Sequence, residues 1–380
     1  MVQVTVTGGL NQPNITLQFT ADDIAFKAAQ KFAQQVTQTY MNTTAVTYNP
    51  GVTKVPSAGY AVVPSSVTSG IDVRGFGAVT LENNSHRDTV FGGGRGYSQT
   101  VLGGMGGMDF SAAAGNVTVV SGGGDNKITF DRTHGHDAAA TGSNAVYLSG
   151  TSSDHNTVVG GFGQTTISAG EGHNKIYTIG GTNDVISSGH DYVKMSAGAD
   201  TINVMSGGTD TVYGGASTST LVFNGGSLAS SVYGALGSIT VMGGSGGGFF
   251  RGGKAGDNSI NGGSGSATIL GGGAGDTLIG GTGMNDVLRA SAGNESLTGG
   301  DGSTNFQFYD HKNPMGSGIT DTITNFNSSD VIKLLGGGTA AAINYALNTY
   351  QVAGGSSSFS LEDGTKVVLA GYTGPTAHFT

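Results

Sequence analysis

Gly271-Gly272-Gly273-Ala274-Gly275-Asp276-Thr277-Leu278-Ile279 is one unit of a repeat that organises the second half of this 380-residue chain. A glycine-rich turn leads to an aspartate, and a pair of aliphatic residues follows. The arrangement returns every nine residues: Leu270, Ile279, Leu288, Leu297 and Phe306 keep that spacing, and Ile260, Ile269, Leu278 and Val287 keep it one position earlier. A short fixed period marks a chain that winds into coils and stacks them, each coil completing its neighbour's core. The glycines supply turn conformations that other residues avoid. The aliphatic residue centres a short strand and points inward. Two units, about eighteen residues, then close one coil with a strand on each side, and successive coils pair as parallel strands. The expected fold class is all-β, a parallel β-solenoid with a thin two-sheet core.

Composition agrees with this reading. Gly contributes 71 residues, nearly three times the usual share, and charged residues are 11%, about half of normal. Glycines in pairs on a nine-residue beat, with only 6 Pro, exclude collagen, which needs Gly at every third position. A flexible Gly/Ser linker has no reason to space its aliphatic residues evenly. The net charge of −9 disfavours nucleic acid, which calls for clustered Lys and Arg, and suits a protein that takes up cations. Without Cys, disulfides and zinc thiolate sites are excluded. No apolar run approaches a membrane span. The first residues alternate like a strand and lack the basic start and apolar stretch of a cleavable signal.

Along the chain, residues 1–60 read as a strand-helix cap. Val2, Val4 and Val6 alternate, as do Ile15, Leu17 and Phe19, which suggests paired strands. Thr20 followed by Asp23 begins a helix, with Asp22 and Asp23 near its positive end. Ile24, Ala28, Phe32, Val36 and Tyr40 recur every four residues and give it one narrow apolar face. That face is expected to cover the open end of the stack, or to bind a partner. Residues 61–114 read as irregular first coils and 115–309 as the solenoid proper, with slips such as Val185 to Val193 and Ile202 to Val212 marking bulges or longer turns. Beyond Phe306 the glycine beat stops, and 310–380 is an aliphatic, β-rich terminal segment.

The repeats resemble those of the RTX family, the calcium-binding β-roll proteins exported by Gram-negative bacteria, over roughly residues 115 to 375. In that family one aliphatic residue per nine gives a small core, and calcium between neighbouring turns adds to it, held by the Asp carboxylate and turn carbonyls. The resemblance puts Asp276 at the calcium position. Asn258, Asn285 and Asn294 hold the same position in nearby units, with Asp257 and Asp286 beside the first two. Ala267 holds it in one unit and cannot ligate. Asp125, Asp184, Asp191, Asp200 and Asp210 lie in comparable turns upstream. The metal ligands implied are therefore Asp276, Asn258, Asp257, Asn285, Asp286, Asp200 and Asp210, with Ca2+ as the ion. An Asn carbonyl is a weaker ligand than a carboxylate, so the mixture implies fewer or weaker ions than a full consensus would hold. Ladders of Asn, Ser and Thr hydrogen bonds are the alternative means of joining the turns.

The segments Asp321-Thr322-Ile323-Thr324-Asn325-Phe326, Asp330-Val331-Ile332-Lys333-Leu334 and Leu361-Glu362-Asp363-Gly364-Thr365-Lys366-Val367-Val368-Leu369-Ala370-Gly371 are similar to the cap that ends such arrays in type I secretion substrates. The resemblance implies that 310–380 is a C-terminal cap and secretion region, and that the protein is secreted or displayed at the cell surface.

Catalytic motifs are missing. There is no His-Glu-x-x-His. Gly263-Ser264-Gly265 and Gly244-Ser245-Gly246 lie in repeat turns rather than on a strand-to-helix elbow. The eight His are scattered, the tightest polar cluster being Thr133-His134-Gly135-His136-Asp137. Tyr309-Asp310-His311 faintly resembles part of an alginate epimerase site and is too short to use. The expected function is a non-enzymatic, self-associating structural protein of an S-layer or biofilm matrix. An adhesin-like module that recognises cell-surface polysaccharide through one flat face is the second expectation.

Overall fold

The computed structural model describes residues 1–380 apart from 11, 21–22, 42–44, 51–58, 95–97, 113–114, 131–141, 206, 310–317 and 337–339. The chain divides into two compact units, Met1–Asp200 and Thr201–Thr380. Each is a parallel β-solenoid built from short strands that alternate between two sheets.

In the first unit, the inward residues form two straight columns. On one sheet Val79, Val101, Val119, Val146, Ile167 and Val185 lie in register from coil to coil. On the other, Ile71, Val90, Phe110, Ile128, Val158, Ile176 and Val193 do the same. All thirteen are fully buried. A side chain of this size contributes roughly 1.5–3 kcal/mol on burial, so the columns are the main apolar term. Parallel pairing reaches back to Val46–Thr47 and Tyr60–Val63. Parallel coils therefore begin well before residue 115, with Val79, Val90 and Val101 already in core positions.

The N-terminal strands Val2–Val6 and Ile15–Phe19 form an antiparallel hairpin. Helix α1, Ile24–Tyr40, starts at Asp23, whose carboxylate accepts the Phe26 N–H at 2.9 Å. Its buried stripe is Ala25, Ala29, Phe32, Ala33 and Val36, wider than the four-residue recurrence suggested. Hairpin and helix pack on Val62, Leu102 and Val120, which belong to an outward row, Val62, Thr80, Leu102, Val120 and Tyr147. The helix thus lies across the outer face of several coils, where the expectation had it over the end of the stack. An apolar outward row left open would be a sticky patch, and the helix removes it. The Phe26 ring meets Phe19 edge-on at 6.1 Å.

In the second unit, Val241, Ile260, Leu278, Leu297, Ile323 and Leu369 form one inward column. Val212, Val232, Phe250, Ile269, Leu288, Phe306 and Ile332 form the other. Leu270, Ile279 and Val287 face outward and are partly exposed. The inward sequence Ile260, Ile269, Leu278, Leu288, Leu297, Phe306 thus changes from one nine-residue row to the other between Leu278 and Leu288. The extra residue sits in the turn before Asn285–Arg289. The glycine beat also has a plain cause here. In the column Gly244, Gly263 and Gly281 all three take positive φ, and a Cβ on Gly263 or Gly281 would stand 2.1 or 2.0 Å from the carbonyl oxygen of the glycine one coil earlier.

The terminal segment continues the coils as well as covering them. Thr320–Thr324 pairs with Ser296–Thr298 and with Lys366–Leu369, and Val331–Leu335 pairs with Ser303–Tyr309 and with His378–Phe379. Gln351–Ala353, Ser356–Ser360 and Lys366–Leu369 form an antiparallel meander, beside helix α2, Ala340–Thr349.

Candidate functional site: polar ladders inside the coils

Side chains alternate across a strand, so the residue two before each core aliphatic also points inward. In this chain that residue is polar in coil after coil. In the first unit Asn126, Asn156, Asn174 and Asp191 precede Ile128, Val158, Ile176 and Val193, and none is more than 2% exposed. They form a one-directional chain of hydrogen bonds. Asn126 Nδ2 donates to Asn156 Oδ1 at 2.9 Å, Asn156 Nδ2 to Asn174 Oδ1 at 2.7 Å, and Asn174 Nδ2 to Asp191 Oδ1 at 2.6 Å. The same oxygens accept backbone N–H groups: Asn126 Oδ1 from Met108, Asn156 Oδ1 from Asn126 and Asp191 Oδ1 from Asn174. Ser187 Oγ donates to Asp191 Oδ2 at 2.8 Å. Burial pushes the Asp191 carboxyl up to about 6. On the other sheet Asn183 Nδ2 donates to Asp200 Oδ1 at 2.7 Å, Thr178 Oγ1 donates to Asp200 Oδ2, and burial raises the Asp200 pKa.

The second unit repeats the device with more carboxyls. Asn258 Nδ2 and N–H both donate to Asp276 Oδ1, at 2.7 and 2.9 Å, and Asp276 Oδ2 accepts the Gly272 N–H at 2.7 Å. Next in the column is Glu295, whose Oε2 accepts the Ser291 N–H at 3.0 Å while Oε1 accepts the Ser291 hydroxyl. The Glu295 N–H donates to Asp321 Oδ1 at 3.0 Å. Burial pushes Glu295 up to about 8 and Asp321 up to about 7, with nearby carboxylates adding to both. Asp321 and Asp363 open on a cavity of about 270 Å³ whose other walls include Phe308, Ile319 and Leu361. On the opposite sheet, Asp286 Oδ1 accepts the Ala267 N–H at 2.8 Å and Asp330 Oδ1 the Thr304 N–H at 2.7 Å.

Of the seven residues singled out as metal ligands, Asn258 and Asp276 are hydrogen-bonded to each other. Asp200 and Asp286 are ladder members in separate columns. Asp210 is buried, and its N–H donates to Ser230 Oγ at 3.2 Å. Asp257 and Asn285 are exposed and stand just before ladder residues, Asp257 with a left-handed φ of 51° and Asn285 at the start of its strand. Calcium takes 6–8 oxygens at 2.3–2.6 Å. The ladder oxygens of Asn258 and Asp276 already accept N–H groups, and among the described residues no three His, Asp or Glu side chains are placed to share an ion. The ladder therefore does not fit a calcium cage. Asp286 Oδ2 is among the buried side-chain oxygens of the described residues that have no hydrogen-bond partner. It sits 2.9 and 2.8 Å from where a Cβ on Gly280 or Gly300 would stand.

His134, His136, Asp137, Asp310 and His311 lie outside the described residues. Sequence reading passed over Glu295 and Asp321, although both carry the acid-x-aliphatic spacing. It also left His155, His173 and His190 scattered, and the coils bring those three together. The fold and its ladders define the class, a parallel β-solenoid laced internally by amide and carboxyl columns. No protein-family model matches the chain, and neither a curated protein nor a solved structure does.

Proposed function

We propose that this protein is an exported, non-enzymatic structural component of a cell surface or extracellular matrix, whose β-solenoid associates with further copies of itself. The observation that supports this reading is where the polar chemistry goes. The buried Asn, Asp and Glu of the ladders are spent on joining one coil to the next, which makes stiffness rather than turnover the use of the interior. Export rests on the resemblance of the 310–380 segment to secretion caps. Calcium is also implied by that resemblance, and the buried Asp286 Oδ2 without a hydrogen-bond partner supports a place for it there. No helix among the described residues is long and apolar enough to cross a membrane.

The test is electron microscopy with size-exclusion chromatography, with and without calcium. Ordered polymers are the expected result, and a monomer under every condition tried would refute self-association. A monomer would favour the second reading, binding to polysaccharide, which has its own observation. On an outer face of the second unit Tyr213 and Tyr233 stack at 4.9 Å and 10°, with Phe249 5.5 Å from Tyr233. Arg251 is in register beside Tyr233. Such a row of partly exposed rings beside a guanidinium suits contact with sugars, and Tyr233→Ala with Phe249→Ala should abolish it.

A further inference from the structure

His155, His173 and His190 each stand immediately before a ladder residue, Asn156, Asn174 and Asp191, and therefore point outward where those point in. All three are exposed. Their rings follow one another face to face, with centroids 5.5 and 5.4 Å apart and planes tilted by 27° and 24°. Strand register continues the row one coil earlier to Asp125, whose Oδ1 accepts the His155 N–H at 2.8 Å. The backbone beneath is held by further bonds: the His173 N–H donates to the Asp154 carbonyl at 2.9 Å and the His190 N–H to the Gly172 carbonyl at 2.8 Å. The buried Asn156–Asn174–Asp191 column lies directly under the row.

Centroids 5.4–5.5 Å apart are ordinary for offset rings, and the same spacing leaves the pairs within reach of ligation. Two imidazole nitrogens on one tetrahedral ion, each at about 2.0–2.1 Å, are roughly 3.3 Å from one another. Rings 5.4–5.5 Å apart and already tilted reach that separation by small rotations of exposed side chains, with no movement of the backbone. No three donors converge on one point, so the natural unit is a neighbouring pair, with water completing the coordination. Imidazole selects borderline divalent transition ions, whereas calcium prefers hard oxygens.

We propose that this row is a binding site for a divalent transition-metal ion of the zinc, nickel or copper class, held between imidazoles of adjacent coils. His173 belongs to both possible pairs, His155–His173 and His173–His190.

The test is isothermal titration of the full chain with zinc chloride and nickel chloride, in a His134→Ala, His136→Ala background so that the row is read alone. His173→Ala is expected to weaken binding at least tenfold. His155→Ala and His190→Ala should each cost two- to threefold, since each leaves one pair intact. Calcium chloride should give no heat attributable to the row, which separates this site from any calcium site at Asp286. Equal losses from all three single substitutions would overturn the pairwise arrangement. Binding no tighter than that of the triple variant would overturn the site. The rings are exposed, so unchanged circular dichroism is expected for every variant and is checked alongside.

Discussion

Replacing Glu295 by glutamine isolates the strangest part of the second unit, a carboxyl buried in line with two others. Glu295 is 3% exposed, and burial lifts it from an ordinary 4.5 to about 8. Its folded pKa lies above its unfolded one, so the folded state holds the proton more tightly. The stabilising neutral form is fully present below about pH 4.5 and is lost as pH rises towards 8. The gap between those values corresponds to at most about 5 kcal/mol, and a partly relaxed site delivers less. Glutamine keeps the shape, its oxygen can still accept the Ser291 N–H, and it cannot ionise beside Asp276 and Asp321. Glu295→Gln should therefore be close to neutral at pH 4.5 and stabilising by about 2–4 kcal/mol at pH 8. Urea unfolding of both proteins across that range, followed by circular dichroism, measures the difference. A gain that does not grow with pH, or a loss at pH 8, would refute the reasoning.

Asn174→Ala removes the acceptor of Asn156 and the donor to Asp191, and should cost about 2–4 kcal/mol in the first unit by the same assay. Leu288→Ala should cost about 2–5 kcal/mol and Val287→Ala under about 1 kcal/mol. The reverse order would show that the inward row does not change between Leu278 and Leu288. Chelation should move the melting temperature only slightly, and Asp286→Asn should remove whatever shift calcium produces. Loss of the β spectrum in chelator would mean that metal, not the ladders, joins the coils.

The coiled fold could be read directly because the period is a property of the sequence itself. Which of two adjacent aliphatic residues faces inward could not, since Leu278-Ile279 and Val287-Leu288 both offer a candidate. The discriminating signal is the acid two positions before, Asp276 for Leu278 and Asp286 for Leu288. That same signal marks Glu295 and Asp321. Aligned on the calcium position of a known repeat, Asp276 and Asp286 looked like ligands, whereas alternation along the strand turns them into the interior. The seat of helix α1 on the flank depends on the outward row Val62, Leu102 and Val120, whose alignment exists only once coil lengths are known. The histidine row was hidden for the same reason, because its members are a coil apart and each coil has its own length. Helix α2 left a trace in Ala340-Ala341-Ala342 and Ala346, which the aliphatic runs on either side obscured.

The sheets stop in very small strands. In the first unit the outermost are Val46–Thr47 and Ile71–Asp72, and in the second His378–Phe379 closes one sheet, while the antiparallel meander finishes the other. Edges this short offer a stranger few hydrogen bonds. Interior coils are different, since each needs only a neighbour with an inward polar residue and an aliphatic two places on. Duplication or deletion of whole coils in the middle of a unit preserves every rule that holds it together, whereas changes at its ends do not. The number of interior coils is therefore the dimension that such a fold can change most readily, while the ends of each unit stay individual.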